Sequence, residues 1–459
     1  MTQVRPREAQ QILESMVVAR YQMYPEYRDT GIEWLGQIPS HWKIERLKYA
    51  TNLNPEVLSE NTHPDYLIEY VDISNVNALG EILEVQEYRF EDAPSRARRV
   101  VRQGDTIIST VRTYLKAIAF LENPSENLIV STGFAVLRPK PNLHPKFLAY
   151  VVQAVEFIDT VVANSTGVSY PAIAPSRLGD LPIWFPVSID EQRAIAAFLD
   201  RQTAKIDALI AKKRELIAAL HEKRSAIISH AVTKGLNPDA PMKDSGIEWL
   251  GEIPAGWDII ALKHALRNYE YGISASLSGT GSYRVLTMGH VQDSKLLIPE
   301  EGCLTERPSL FLQHHDLVFN RTNSLELVGK VGIFEGVEAD EISIASYLVR
   351  MQTNDRANPL YLNYLLNSGW MLAEAKSRAL PSINQANLNP TRYTNIKIPL
   401  PPRTEQETII SYLDHQVGEI DAVIMTAEAT IERLQEYRSA LISAAVTGRI
   451  DVRGKAGVS

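Results

Sequence analysis

The sequence predicts an α/β (α+β) protein made by tandem duplication. Two mixed globular regions are separated by a long antiparallel coiled coil of two repeated helices, with approximate two-fold symmetry. Three observations predict it. A tryptophan-bearing box occurs twice, a long helix-forming segment occurs twice at nearly the same offset, and a region of short strands and short helices joins each box to its helix. At 459 residues the chain is too long for one core, so more than one domain is expected.

The first box, GIEWLGQIPSHWKIERL (Gly31 to Leu47), returns as GIEWLGEIPAGWDIIAL (Gly246 to Leu262). From Asp29 to Lys48 the offset is a constant 215 residues and 13 of 20 positions are identical. Four of the six tryptophans lie in these copies. The apolar residues Trp34, Leu35, Ile38, Pro39 and Trp42 read as a plug that fixes how the chain enters the region that follows.

The helix segments are Asp190 to Gly235 and Thr404 to Arg449, aligned without a gap at an offset of 214. Glu191-Gln192 falls on Glu405-Gln406, and Arg224-Ser225-Ala226 on Arg438-Ser439-Ala440. Neither glycine nor proline interrupts Glu191 to Lys234. Apolar residues recur at steps of four and three: Ile195, Leu199, Ile206, Leu209, Leu216, Leu220 and Ile227, then Ile409, Leu413, Ile420, Val423, Leu434, Tyr437 and Leu441. That spacing is a coiled-coil seam, with Gln202 and Gln416 as polar register-setting positions. Asp190 and Thr404 are expected as N-caps, and Gly235 and Gly448 as stops. A helix so long and amphipathic needs a partner. The repeat supplies one, although packing on the neighbouring region alone, or homodimerisation, would also cover the seam.

The intervening regions resemble each other weakly. Strands are expected at Gly104 to Thr110, Gly133 to Pro139, His315 to Thr322 and Ala345 to Met351. One helical stretch follows in each region, starting at Pro145 and at Pro359. The resulting division is 1–28 (an extension), 29–189 (box and first variable region), 190–235 (first long helix), 236–243 (linker), 244–403 (box and second variable region), 404–449 (second long helix) and 450–459 (tail).

Composition narrows the function. No signal-peptide core opens the chain and no apolar run of about 18 residues occurs, so a cytoplasmic protein without membrane contact is expected. The single cysteine, Cys303, excludes an intrachain disulfide and a cysteine zinc cluster. The net charge of −8 argues against a uniformly basic surface but leaves room for local basic patches. Enzymatic motifs are missing. No Gly-x-Gly loop is followed by Asn/Asp-Pro-Pro-aromatic, and no G-x-x-x-x-G-K-[ST] loop occurs. GTGSYR (Gly279 to Arg284) lacks the phosphate-loop lysine and reads as a turn. His314 and His315, adjacent on a strand, would point to opposite faces and share no metal. PDAPMKD (Pro238 to Asp244) reads as linker. The expectation is a chain with no catalytic residues, cofactor or metal of its own.

The duplicated boxes, two diverged α/β regions and two long helices opened by Glu-Gln after a proline segment resemble the specificity subunit of type I restriction-modification systems, over about Asp29 to Arg449. The resemblance implies that each variable region is a target recognition domain reading one half of a split double-stranded DNA sequence. It implies that the helices form the antiparallel coiled coil that separates these domains. It also implies docking of methyltransferase (modification) subunits, two by the logic of the repeat, which motor-nuclease (restriction) subunits join. A split asymmetric target needs two different readers at fixed spacing, whereas a symmetric dimer would read a palindrome. The competing readings are an adaptor whose coiled-coil-spaced domains bind a non-DNA partner, and an enzyme with a site hidden in the variable regions.

Within the first region the expected DNA contacts are Arg112, Thr113, Tyr114 and Lys116, the loop residues Ser165, Thr166, Ser169 and Tyr170, and Arg96 and Arg99 of the basic run RARRVVR. Within the second they are Arg321, Thr322 and Asn323, with Ser382, Asn384 and Gln385. Arginine and lysine suit phosphates or guanine, and asparagine and glutamine suit adenine. A solvated loop or a structural cap is the alternative for each.

Overall fold

A computed structural model describes residues 15–167, 170–277, 279–382 and 385–455. The chain divides into two compact units, Met1–Lys213 with Glu428–Ser459, and Arg214–Ala427.

In the first unit the box is a hairpin. Tyr27–Asp29 pairs antiparallel with Gln37–Pro39. Gly31 and Gly36 at its loop have φ of +69° and +68°, a conformation that favours glycine. Thr30 closes the loop: its hydroxyl donates to the Gly36 carbonyl at 2.6 Å and accepts from the Ile32 amide at 3.1 Å. The next strand, Trp42–Arg46, pairs with Pro182–Pro186, so the box is stitched to the proline segment that ends its region. Between them lie two four-stranded sheets, one containing Thr106–Ser109 beside Phe134–Pro139 and the other containing Ala97–Val100 beside Leu128–Ser131.

The second unit repeats the plan. Met242–Asp244 pairs with Glu252–Pro254, and Asp258–Ala261 with Lys397–Leu400. Part of the segment expected to be linker is therefore the first strand of the second box hairpin. The sheets differ from those of the first unit. One six-stranded sheet carries Leu317–Asn320 and Leu348–Thr353, and a three-stranded sheet carries Thr322–Asn323, Gln385–Asn387 and Leu380–Ser382. Diverged sheets on a common frame account for the weak similarity of the two variable sequences.

Each helical stretch expected after the sheets is two helices. Pro145–Gln153 and Val155–Ala163 are separated by Ala154, and Pro359–Leu366 and Gly369–Arg378 by Asn367 and Ser368. Ala154 (ψ 144°) and Ser368 (ψ 149°) occupy equivalent positions in extended conformation. The Val155 amide freed by the break donates to Ser443 Oγ on the second long helix at 3.1 Å. That partner is 288 residues away, so no local signal marks the break.

The long helices run Ile189–Lys234 and Arg403–Val446. Asp190 and Thr404 lie inside the first turns rather than at the caps. The Ser188 hydroxyl accepts from the Glu191 amide at 3.4 Å, and the Pro402 carbonyl accepts from the Glu405 and Gln406 amides. Both helices end at a left-handed glycine, Gly235 and Gly448, each with φ +73°. The repeated glutamine is a buried clamp. Gln192 accepts from the His144 amide at 2.7 Å and donates to the Asn142 and Pro186 carbonyls. Gln406 does the same with the Asn358 amide and the Arg356 and Pro401 carbonyls.

In each unit one core takes the start of one long helix and the end of the other. Ile195, Leu199, Ile206 and Ile210 share the first core with Leu441 and Val446, and Ile431, Leu434 and Tyr437 pack against it. Ile409, Leu413 and Val417 share the second with Ile228 and Val232. Three seam assignments are corrected. Leu209 is 43%, Leu216 40% and Val423 47% exposed, while Ile210 and Ile424, next to Leu209 and Val423, are buried. Likewise Thr203 and Val417 are buried in place of the half-buried Gln202 and Gln416. The buried steps from Ile195 and from Ile409 run four, four, three, four, longer on average than the alternating steps of a strict heptad.

The segment before the box belongs to the first unit. Val17 and Tyr24 are buried there, the Tyr24 hydroxyl donates to Glu191 Oε1 at 2.9 Å, and Gln22 bridges to Asp451 beyond the second long helix. Among the described residues no helix is long and apolar enough to cross a membrane.

Candidate nucleic-acid interface

In the first unit the strand Thr106–Ser109 delivers the chain to a single 3-10 turn, Thr113–Leu115. Arg112 (φ +51°) and Lys116 (φ +55°) bracket that turn in left-handed conformation. The reversal lifts Arg112, Tyr114, Leu115 and Lys116 into solvent, with Tyr114 52% exposed.

The two loops singled out in the sequence meet here. The Arg112 amide donates to the Pro171 carbonyl at 2.7 Å, Val111 bridges to Ala172, and the Ile173 amide donates to the Thr110 carbonyl. Ser165 spends its hydroxyl proton on the Val161 carbonyl, so Thr113 donates to Ser165 Oγ at 2.9 Å. The Arg112 guanidinium lies 4.7 Å from the ring centroid of the exposed Tyr170. Thr166 is exposed, its backbone paired with Ala172. Thr113 is thus corrected from a DNA contact to a buried tie between loops, and Ser165 accepts that tie. Ser169 lies outside the described residues.

The basic run divides by partner. Arg96 is exposed and joins the same rim, because its carbonyl accepts from Thr132 while the neighbouring Gly133 carbonyl accepts from Thr110. Arg99 is half-buried, its Nε has no partner, and burial lowers its pKa. Arg98 lies over the Phe90 ring. Arg102 is held by both oxygens of Glu56 at 2.7 and 2.6 Å. Arg138 bridges Glu56 and the buried Asp105. Hydrogen bonds from Arg102 and Arg138 pull the Glu56 carboxyl down to about 2. Among the described residues of this run, Arg96 is exposed and forms none of the ion pairs just described, and with Arg112 and Lys116 it contributes positive charge to the rim.

The second unit joins its two predicted segments through strand pairing, Thr322 opposite Asn387 and Asn323 opposite Ala386. Arg321 is half-buried. It donates to Asn387 Oδ1 at 3.0 Å and to the Ser346 carbonyl, and stacks 5.2 Å from the Tyr271 ring. Thr322 is buried, which corrects its assignment as a contact in the same way as that of Thr113. Asn323 donates to the Met288 carbonyl at 3.5 Å. Gln385 is exposed, Ser382 ends the strand Leu380–Ser382, and Asn384 lies outside the described residues. Tyr271 and Tyr347, 50% and 46% exposed, flank Arg321 and are absent from the sequence reading. An aromatic in an edge or terminal strand position looks like any other strand residue until the fold shows which side is open.

His314 and His315 do not point apart. His315 (φ +68°) is in a turn before the strand, and the two rings stack with centroids 3.8 Å apart. Among the described residues no group of three or more histidine, cysteine or acidic side chains could hold a metal ion.

Residues 90–219 and 276–433 match the family model described as the type I restriction modification DNA specificity domain. The MjaX subunit of Methanocaldococcus jannaschii, provisionally named a type I restriction enzyme specificity subunit, is 28% identical over 199 residues, which is 42% of this chain and 46% of that one. The type I restriction enzyme StySPI specificity subunit of Salmonella potsdam is 22% identical over 327 residues, 70% of this chain and 68% of that one. A solved chain, from work on complex assembly and conformational transition of the type I R-M system, superposes with a TM-score of 0.67 at 22% identity. It covers 89% of this chain and 98% of its own length, and shows the same fold. With the two matched segments covering more than half of its length, the chain belongs to the type I restriction-modification DNA specificity family.

Proposed function

We propose that the chain is the DNA-recognition subunit of a type I restriction-modification complex. It reads a split, asymmetric duplex sequence and scaffolds methyltransferase and restriction subunits without catalysing a reaction itself. The observation that carries this reading is the pair of rims in which two loops meet at the end of an equivalent strand, Val111 bridged to Ala172 in the first unit and Thr322 paired with Asn387 in the second, each rim also carrying an arginine stacked on a tyrosine: Arg112 on Tyr170, and Arg321 on Tyr271. Arg112, Lys116 and Arg96 would meet phosphates or guanine edges, and Tyr114, Thr166 and Tyr170 would line the groove. Gln385 and Asn323 would serve the second half-site. The reading modules are 29–189 and 244–403.

The long helices would pair antiparallel as a coiled-coil spacer that sets the gap between half-sites. Leu209 and Val423, equivalent and exposed, would each give an apolar contact on which a methyltransferase subunit docks. The two repeats thus offer one such contact to each of two methyltransferase subunits, and that repetition favours this reading over an adaptor for a non-DNA partner.

The test is a domain exchange read by methylome sequencing. Replacing Lys43 to Ile189 by the same region of a relative should change one half of the methylated motif and leave the other intact. Inserting four residues into both long helices, about 6 Å of rise, should lengthen the tolerated gap by one or two base pairs. An exchange that changes both halves, or a host that loses no methylated motif when the gene is deleted, overturns the proposal.

A further inference from the structure

The second unit carries a cleft of about 580 Å³ lined by residues 273–277, Thr287, Met288 and 345–347. It opens beside the predicted contact segment: the Arg321 amide donates to the Tyr347 carbonyl, and Asn320 and Asn323 both donate to the Met288 carbonyl. The lining has no charged side chain. It offers the hydroxyls of Ser274, Ser276 and Ser346 and the apolar surfaces of Leu277 and Met288, with Tyr347 at the mouth. Phosphate recognition needs cations or clustered amides, whereas hydroxyls beside apolar groups suit a base edge and, in particular, the methyl group of thymine.

In the first unit the equivalent position is filled, for a stereochemical reason. Strands Phe134–Pro139 and Leu348–Thr353 are equivalent, so Gly133 stands where Tyr347 does. Asp72 and Thr287 cap equivalent 3-10 turns through the same capping box, so Ile73 stands where Met288 does. A Cβ on Gly133 would overlap the Ile73 side chain, so isoleucine and glycine pack into each other there. In the second unit the tyrosine is 46% exposed.

We propose that this cleft reads a thymine-bearing edge of the second half-site, that Tyr347 is its specificity-determining residue, and that the first half-site is read without such an element. The inference rests on the DNA-recognition reading above. After the methylated motif is known, the complete methyltransferase complex is titrated with duplexes carrying deoxyuridine in place of each thymine of the second half-site. Loss of the methyl group should weaken binding about fourfold at one thymine, from the free energy of one buried methyl group. Substituting thymines of the first half-site by deoxyuridine should leave affinity unchanged.

Tyr347→Gly with Met288→Ile, which installs the first unit's residues, should abolish the uridine effect. It should also lower second-half-site methylation at least about tenfold. If that variant unfolds, Ser276→Trp, a change at an exposed position, fills the cleft and should have the same effect. Uridine indifference in the wild-type complex, or a folded, cleft-filled variant with the parental motif and rate, overturns the inference while leaving DNA recognition standing. A wild-type complex that binds no split sequence overturns the parent reading instead.

Discussion

Arg438 Nε donates to Asp207 at 3.0 Å in the first unit, and the same two repeat positions meet in exchanged roles in the second, where Arg224 Nε donates to Asp421 at 3.2 Å. In each unit an aspartate from the first half of one long helix is held by an arginine from the second half of the other. Arg438 is 13% exposed, so its charge is poorly screened and its partner matters more than in an open surface pair. Asp207→Asn should lower stability by about 1 kcal/mol in urea unfolding. Asp207→Arg combined with Arg438→Asp should recover most of what either reversal loses. Additive losses in that double-mutant cycle would mean that the pair does not fix the helix register.

The corrected stripe separates two variants that a heptad reading treats alike. Ile210→Glu with Ile424→Glu places charges at positions that are 2% and 6% exposed, and should cost several kcal/mol, roughly 3 or more, with loss of helicity. Leu209→Glu with Val423→Glu should leave the melting temperature within about 2 °C and weaken assembly with the methyltransferase subunit. Circular dichroism and gel filtration of the mixed complex check both. Equal destabilisation by the two variants would put Leu209 and Val423 back in the seam.

Acid should release the Glu56 cluster in a defined window. The carboxyl is held at about 2, below its ordinary 4.5, by Arg102 and Arg138. A depressed carboxyl contributes stability that is fully present above its ordinary value and is lost as pH falls toward its folded value. The melting-temperature advantage of the wild type over Glu56→Gln should therefore be constant above pH 4.5 and shrink between about 4.5 and 2. An advantage that persists at pH 2 would assign it to packing.

Gln192→Met removes a clamp that satisfies one amide and two carbonyls while keeping similar bulk. Both Gln192 and Gln406 are fully buried, so each replacement should cost roughly 3 kcal/mol. The two losses should add, because each clamp serves its own unit. Scanning calorimetry of the single and double variants measures this. A loss below about 0.5 kcal/mol would mean that water replaces the amide.

The amino-acid sequence by itself determined the duplication, the two boxes, the extent of both long helices and the places where they stop. These are local matters. Glycine at +73° ends a helix, Gly31 and Gly36 turn a hairpin, and an unbroken amphipathic run propagates one. It also located the paired loops, since strand ends and turn residues are written in short windows. Only the tertiary structure decided which side of each long helix is buried. The side-chain stripes through Leu209 and Ile210 differ by a single residue in phase, and the choice follows from where the Gln192 clamp pins the helix and what its core presents. It likewise decided that Thr113 ties two loops instead of facing outward, that Ala154 breaks a helix for the sake of Ser443, and that Tyr347 stands open where Gly133 is closed. Each of these depends on a partner dozens to hundreds of residues away, and a spacing rule that reads only neighbours cannot contain it.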